Sequence, residues 1–461
     1  MNTRLGARTI VLIFADIAII FGGILLALVL HLGFQGASLE LSENFGWWKI
    51  SVAAVVFLIN LYFLDLYDNT VVSDRRELNL RLMQAIGFTW AFLAILFYLF
   101  PAFLIGRGTA VYSVAISLVA LIAFRNAIHF IFGHPDLGEK ILIVGDRQVI
   151  ANTVKAARRR RDAGHRIIGF VADERAERSA ILGVCHLGTI GDLEKIVEQE
   201  KVDRIVIGVH DQRGTFPAEP LLRLRLAGSS IIEESTSFFE RVTGSVHLDY
   251  LRPSWLIFSM RPRDSRLKTV IREGLYRGIA LIGLILALPI ALVTVLCIKL
   301  ESRGSCFYRQ KRVGKNGRIF ELIKFRSMRH DAEEDGGPVW AAPDDDRATR
   351  VGRVIRKIRI DEIPQFWNIL RGEMSFIGPR PERPYFVSQL AEKIPFYDHR
   401  HLVPPGLTGW AQINYPYGAN VEDARQKLQY DLYYIKNQTL GLDLIIMFET
   451  IKTILFGRGA R

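Results

Sequence analysis

The chain has 461 residues, half of them hydrophobic and 23% charged, with a formal net charge of +12. A positive mean hydropathy beside that many charges excludes an ordinary soluble globule and a bundle of membrane spans alone, and the length allows two or three domains. Three cysteines, Cys185, Cys297 and Cys306, provide neither a disulfide framework nor paired zinc spacing, which suits a reducing compartment.

Four apolar stretches open the chain, at about 9–32, 48–67, 84–105 and 110–132, each near the roughly 20 residues that span a hydrocarbon core. The first is too long for a cleaved leader and is read as an anchor. Arg4 and Arg8 precede it, the loop 33–46 carries Glu40 and Glu43 but no Lys or Arg, and the next loop holds Arg75, Arg76 and Arg81. The positive-inside rule then places the N-terminus in the cytoplasm and returns the chain there after four spans. Residues 1–135 are thus expected to form a four-helix transmembrane region.

From 136 to 240 the pattern becomes alternating α and β. Lys140–Gly145 reads as a buried parallel strand, and strands at 167–172, 204–209 and 229–234 and a helix at 191–200 follow. This predicts a Rossmann-like open sheet. Asp146-Arg147-Gln148 stands after Gly145 where a dinucleotide fingerprint needs further glycines, and Asp146 would repel a pyrophosphate. The domain is therefore read as structural or regulatory, assembling homo-oligomers or sensing a nucleotide. His165, His186 and His210 read as ordinary surface or loop residues, and 241–265 as a linker.

A fifth apolar stretch, about 278–298, has Pro289 near its middle, which removes a helix hydrogen bond and forces a kink. Basic residues flank both ends, Arg266, Lys268, Arg272 and Arg277 before and Lys299, Arg303 and Arg309 after. Both ends belong in the cytoplasm on that basis, so a re-entrant helix-break-helix hairpin over about 274–299 is expected. Tyr308–Gly317 and 318–325 read as a hairpin turning at Asn316-Gly317, which delivers Lys324 and Arg326 at its end. Those two residues would meet phosphate, or the hairpin would touch anionic lipid. The acidic, irregular stretch 329–348 lacks calcium-loop spacing and reads as a loop. The last apolar run, 444–456, with Glu449 and Lys452 on one side, suits an interfacial helix or a core-packing one.

The densest chemistry lies at 352–381. Asp361 and Glu362 follow a run of arginines and precede Pro364, a residue favoured in the first turn of a helix. An acid pair at a helix N-terminus, flanked by Arg353, Arg356, Arg359 and Arg380, suits phosphate chemistry. One carboxylate can attack phosphorus while the other holds a divalent metal, and the arginines neutralise phosphate charge.

Lys324-Phe325-Arg326-Ser327-Met328, Asp361-Glu362-Ile363-Pro364-Gln365, Gly378-Pro379-Arg380-Pro381 and Pro405–Gln412 occur in the order found in a known family. Residues 266–461 resemble the sugar transferase domain of bacterial monotopic polyprenyl-phosphate phosphoglycosyl transferases. The whole chain resembles the large, multi-span members that initiate exopolysaccharide synthesis. The resemblance implies that a hexose-1-phosphate moves from a UDP-sugar to undecaprenyl phosphate in the inner membrane, with the catalytic domain on the cytoplasmic face. It assigns Asp361 as the nucleophile, Glu362 as the Mg²⁺ ligand, Arg356 and Arg380 as phosphate-binding residues, and Lys324 and Arg326 to the diphosphate or the lipid headgroup. Family members carry Ser-Pro at the helix break where this chain has Leu288-Pro289, and often a basic residue where Pro404 stands. Residues 404–412 are expected to form part of the nucleotide wall, and Tyr433 and Tyr434 to support the fold. The net charge is assigned to membrane lipids and the nucleotide sugar, with no nucleic-acid partner. A redox enzyme built on the central sheet would need a glycine fingerprint and a Tyr-x-x-x-Lys pair, neither of which is present. A silent membrane scaffold would not need Asp361 and Glu362.

Overall fold

A computed structural model describes residues 7–43, 46–64, 66–67, 75–101, 106–132, 139–159, 165–172, 180–208, 217–251, 266–329, 347–415, 418 and 420–456. The chain divides into two compact units, Met1–Thr243 and Gly244–Arg461. The expected linker lies largely outside the described residues, as does most of the acidic loop.

In the first unit, helices α1 (Ala7–Glu43), α2 (Gly46–Phe63), α3 (Arg75–Leu99) and α4 (Arg107–Phe132) correspond to the four apolar stretches. Each contains a segment long and apolar enough to cross a membrane. The first stretch was expected to end at residue 32, and α1 kinks at the next residue, Gly33 (φ 72°), before continuing to Glu43. The third helix starts nine residues before the expected 84, because its first turns are polar on one side only. Leu78 and Leu82 are buried in the same core as Ile24, Leu28, Ile50, Phe57, Leu61, Leu93 and Leu121. Inside this bundle Arg125 Nη2 meets Asp16 Oδ2 at 2.5 Å, and Arg125 Nη1 donates to Leu66 O at 3.1 Å.

The same unit holds a five-stranded, all-parallel sheet of order β3-β2-β1-β4-β5. Its strands are β1 (Glu139–Gly145), β2 (His165–Val171), β3 (His186–Gly188), β4 (Arg204–Gly208) and β5 (Ile231–Glu234). Alternate residues of β1 feed two cores, because side chains alternate along a strand. Ile141 and Ile143 pack with Ile150, Val154, Val206 and Phe238, while Leu142 and Val144 pack with Leu193, Val197, Ile205 and Leu221. Gly145 abuts Gly208, and a Cβ on Gly145 would lie 2.2 Å from the Gly208 carbonyl oxygen. Strand β3 was not foreseen, since three residues carry too short a pattern to read.

In the second unit, helix α5 (Arg266–Glu301) runs unbroken through Pro289. The expected helix-break-helix is corrected accordingly. Proline removes one intrahelical bond, and the Leu- and Ile-rich sequence on both sides continues the helix past it. One face of α5 lies along the body of the unit. Ala280 packs with Phe320, Leu322, Ile369 and Met374, and Ile298 with Cys306, Phe325 and Ile355. Gly283 lets Phe366 approach where a Cβ would meet it at 2.8 Å. Both ends are tied down. Tyr276 OH donates to Asp443 Oδ2 at 2.5 Å, and the backbone N–H groups of Arg350 and Val351 donate to Glu301. The opposite face exposes Leu281, Ile282, Ile285, Leu286, Leu288, Leu292, Val293 and Leu296.

The body holds a hairpin of β6 (Phe307–Val313) and β7 (Ile319–Phe325), turning through Asn316 (φ 56°) and Gly317 (φ 76°) as the Asn-Gly pair predicts. Strands β8 (Ser375–Ile377) and β9 (Gly406–Thr408) pair in parallel. The chain then ends in α6 (Val421–Asn437) and α7 (Leu440–Phe456). On α7 the charged side faces inward. Lys452 is buried 3.8 Å from Glu449, and Leu440, Leu444, Phe448, Ile451 and Ile454 are exposed.

Candidate active site

A short helix, Arg350–Lys357, is capped by Thr349, whose Oγ1 accepts from Gly352 N at 2.9 Å. Arg359 then adopts a left-handed conformation (φ 59°), which turns the chain into a single 3₁₀ turn, Ile360–Glu362. Pro364 follows at the N-cap of the helix Gln365–Leu370. Asp361 and Glu362 therefore stand at the start of a helical segment, as expected, and both are buried.

The hairpin delivers Lys324 to them, with Nζ 2.9 Å from Glu362 Oε1 and 3.8 Å from Asp361 Oδ2. Asn368, fully buried on the following helix, locks this approach. Its Oδ1 accepts from Ile323 N at 3.1 Å, and its Nδ2 donates to Glu321 O and Glu373 Oε2, each at 2.7 Å. Arg380 comes from the turn after β8, and its Nη2 donates to the same Glu362 Oε1 at 3.2 Å. Arg359 Nη1 lies 3.6 Å from that oxygen. Three cations thus converge on one carboxylate oxygen. Burial alone would raise the Glu362 carboxyl, but Lys324, Arg380 and Arg359 outweigh it and hold the group well below the ordinary carboxylate range. For Asp361, burial prevails over the pull of Lys324, with neighbouring Glu362 adding to it, and its carboxyl is raised.

Lys324, Arg380, Asp361 and Glu362 are thus brought together. Arg356 lies half-buried on the last turn of Arg350–Lys357, five residues before Asp361, and among the described residues it makes no ion pair with either acid. Arg326 is not at the site. Its guanidinium donates to Arg303 O and Ser302 O, each at 2.9 Å, and to Ser302 Oγ at 2.7 Å, just past the C-terminus of α5. Terminal helix carbonyls need donors, and Arg326 supplies them. Within 404–412, expected to form part of the nucleotide wall, two residues make contacts inside the fold. Thr408 bonds Thr450 Oγ1 at 2.7 Å, and buried Trp410 stacks on Tyr433 and donates to Gly244 O at 2.7 Å. Thr408 and Trp410 thus hold the fold. Tyr433 and Tyr434 are buried, and Tyr434 OH donates to Asp443 Oδ1 at 2.9 Å. The sequence reading missed Asn368, whose only signal is a polar residue inside the apolar run Phe366–Leu370, and Arg400, which stands between His399 and His401 and carries no such signal.

Among the described residues no three His, Cys, Asp or Glu side chains gather into a metal cage. Two adjacent carboxylates nevertheless suit Mg²⁺, which takes one or two carboxylates and fills the remaining positions with water and substrate phosphate.

Residues 267–457 match the family model described as bacterial sugar transferase. The chain belongs to the bacterial sugar transferase family. Residues 62–210 match a second model, described as a CoA-binding domain. A protein of Aeromonas hydrophila named UDP-N-acetylgalactosamine-undecaprenyl-phosphate N-acetylgalactosaminephosphotransferase is 49% identical over 222 residues, covering 48% of this chain and 52% of that protein. The undecaprenyl-phosphate glucose phosphotransferase of Komagataeibacter xylinus is 32% identical over 70% of this chain and 60% of its own length. The UDP-glucose:undecaprenyl-phosphate glucose-1-phosphate transferase of Caulobacter vibrioides is 39% identical over 44% of this chain and 78% of its own length. The chain thus spans little more than half the length of the first two relatives. The family is one of transferases, and the long apolar helices mark this member as a membrane protein.

Proposed function

We propose that this sugar transferase moves a hexose-1-phosphate from a UDP-sugar to undecaprenyl phosphate, giving the polyprenyl-diphosphate sugar and UMP. The observation that carries this reading is the buried pair Asp361–Glu362 with Lys324, Arg380 and Arg359 within 3.8 Å of its oxygens. The printed names of the relatives support the two substrates. The 49% identity to the protein named for UDP-N-acetylgalactosamine favours an N-acetylhexosamine donor over glucose.

Asp361 attacks the β-phosphorus, and the bond from that phosphorus to the bridging oxygen breaks. UMP leaves, and the sugar phosphate remains on Asp361 as an acyl phosphate. A phosphate oxygen of the lipid then attacks the same phosphorus, which breaks the acyl-phosphate bond to Asp361 and restores its carboxylate. Lys324, Arg359 and Arg380 favour the ionised acids and neutralise the phosphoryl oxygens in the transition state. Arg356 is assigned to a substrate phosphate. Glu362, with Asp361 beside it, would hold Mg²⁺, which when bound supplies positive charge to the diphosphate.

The topology proposed is four crossings with a cytoplasmic N-terminus, in the bacterial inner membrane. Helix α5 would enter and leave on the cytoplasmic side. One face of it packs on the body from Tyr276 to Ile298, a span of 23 residues, or about 33 Å of straight helix and a full hydrocarbon thickness. A helix crossing the bilayer would drag that charged body through the lipid. Lying in one leaflet, it sets the acid pair at headgroup depth.

The test is UMP release by the full-length protein in nanodiscs with undecaprenyl phosphate, across UDP-N-acetylgalactosamine, UDP-N-acetylglucosamine, UDP-galactose and UDP-glucose, with and without chelator. Release with one donor, abolished by chelator, is expected. No release with any donor would overturn the reaction, and chelator-resistant release the metal.

A further inference from the structure

The turn that presents Arg380 is held in an unusual way. Gly378 and Gly406 touch backbone to backbone, and a Cβ on Gly406 would lie 2.1 Å from Gly378 N. Prolines 379 and 381 fix φ on both sides of Arg380. Each carbonyl from 379 to 382 is taken by a donor from elsewhere in the unit. Gly406 N donates to Pro379 O at 2.9 Å, and Val313 N to Glu382 O at 3.0 Å. The other two donors are arginine side chains. Arg400 Nη2 donates to Arg380 O, and Arg312 Nη1 to Pro381 O, each at 2.9 Å.

Neither arginine touches Asp361 or Glu362 in any contact described. Arg400 is buried, and its Nη1 donates to Tyr397 OH at 2.6 Å while Nη2 pairs with Asp431 at 3.0 Å. Arg312 donates to Gln310 Oε1 at 2.5 Å and lies 3.4 Å from Glu382. Burying a guanidinium is costly unless its donors are matched, and here the matched acceptors include two consecutive main-chain carbonyls of the Arg380 turn. Fold stability alone would be served as well by apolar residues replacing each arginine together with its acid partner. What an apolar residue could not do is hold the main-chain carbonyls of Arg380 and Pro381.

We infer that Arg400 and Arg312 are positioning residues that set the main chain of the 379–382 turn so that the Arg380 guanidinium reaches Glu362 and the transferred phosphoryl group. The inference rests on the reaction proposed above. A side chain that must meet developing charge gains from a backbone with no freedom, and misplacement of about 1 Å can cost roughly 100-fold in rate. The effect is relayed through Arg380 alone, which gives it a signature that a general packing role lacks.

The experiment is a double-mutant cycle on full-length protein in nanodiscs, reading kcat for UMP release, KM for undecaprenyl phosphate and the thermal midpoint. Arg400→Lys is expected to lower kcat by about 10- to 100-fold, with KM for the lipid changed less than about 2-fold. In an Arg380→Ala background the same change should move the residual kcat by less than about 2-fold, because the group being positioned is gone. Equal fold-losses in both backgrounds would overturn the inference, as would wild-type kcat in Arg400→Lys. Should Arg400→Lys fail to fold, Arg312→Lys and Tyr397→Phe run the same cycle, and additivity in both sinks the idea. A wild-type protein that turns over while the cycle is additive removes only this inference. A wild-type protein that releases no UMP removes the functional reading and the inference with it.

Discussion

Two of the buried acid–arginine arrangements among the described residues differ in stoichiometry. In the apolar helical bundle, Asp16 and Arg125 form a closed pair at 2.5 Å, both almost wholly inaccessible, with Arg125 also bonded to Leu66 O and lying over the Tyr67 ring. At the acid pair of the second unit, one oxygen of Glu362 draws Lys324, Arg359 and Arg380, and Asp361 adds a second carboxylate. One charge matched by one charge is complete and serves structure. Three cations on one oxygen, beside a carboxylate that burial pushes towards protonation, are complete only when more negative charge arrives. The comparison teaches that burial of charge alone does not mark a site, whereas a local excess of one sign does.

The largest effect expected separates them on turnover. Asp361→Asn should abolish UMP release, leave no covalent phosphosugar on the protein, and not lower the thermal midpoint, since a carboxylate in a like-charged pair is lost. Intact-mass spectrometry after mixing with UDP-sugar reads the adduct, and a discontinuous assay reads UMP. Residual release above about 1% of wild type from a folded variant would count against the covalent role, since loss of an attacking group ordinarily costs several orders of magnitude.

The opposite arrangement predicts the opposite pattern. Arg125→Ala leaves Asp16 charged and unpaired among apolar helices, a change expected to cost about 3–5 kcal/mol. Thermal or denaturant unfolding in nanodiscs should show that loss, while kcat per folded molecule stays within about 2-fold of wild type. Replacing both partners, Asp16→Leu with Arg125→Met, should recover most of the stability, because a removed pair leaves no orphan charge. If the double variant is as unstable as the single one, the pair does more than neutralise itself.

How far these two regions could be read beforehand follows from where their partners lie in the chain. Asp361, Glu362 and Arg380 fall within twenty residues and Lys324 stands in a basic hairpin, so charge and turn chemistry exposed them together. Asp16 and Arg125 are 109 residues apart, and each reads as an isolated polar residue in an apolar run. Arg326 sits two residues from Lys324 and looked equivalent to it. On one strand, however, residues two apart share a face only while the strand lasts, and β7 ends at Phe325. Beyond the strand Arg326 met the open carbonyls at the end of α5. Asn368 and Arg400 were hidden for another reason. Their roles are bonds to main-chain atoms, which every residue carries and which no pattern of side chains reveals. The sheet was legible through its apolar runs except for β3, and α5 was legible as apolar, but Pro289 did not break it.

A third pair allows the comparison to be sharpened with pH. Asp431 lies against Arg400 at 3.0 Å, one to one like Asp16 and Arg125, yet burial outweighs the arginine and its carboxyl is pushed up to about 6. A carboxyl raised on folding takes up its proton more readily in the folded state than in the unfolded chain. The stability that this proton confers is fully present below the ordinary value of about 3.9 and is lost as pH rises through about 6. Glu362, held low, acts in the reverse sense, but its contribution is lost only in acid beneath the ordinary glutamate value, so it is silent between pH 5 and 7.5. Asp361 contributes in the same direction as Asp431, and comparing variants removes it. The thermal midpoint of the second unit's unfolding should therefore fall from pH 5 to pH 7.5 by a few degrees more in wild type than in Asp431→Asn. Differential scanning calorimetry of both proteins at the two pH values reads the difference. A wild-type midpoint that rises over that interval relative to the variant would mean that Arg400 holds Asp431 ionised, and the pair would then belong with Asp16–Arg125 as a closed one.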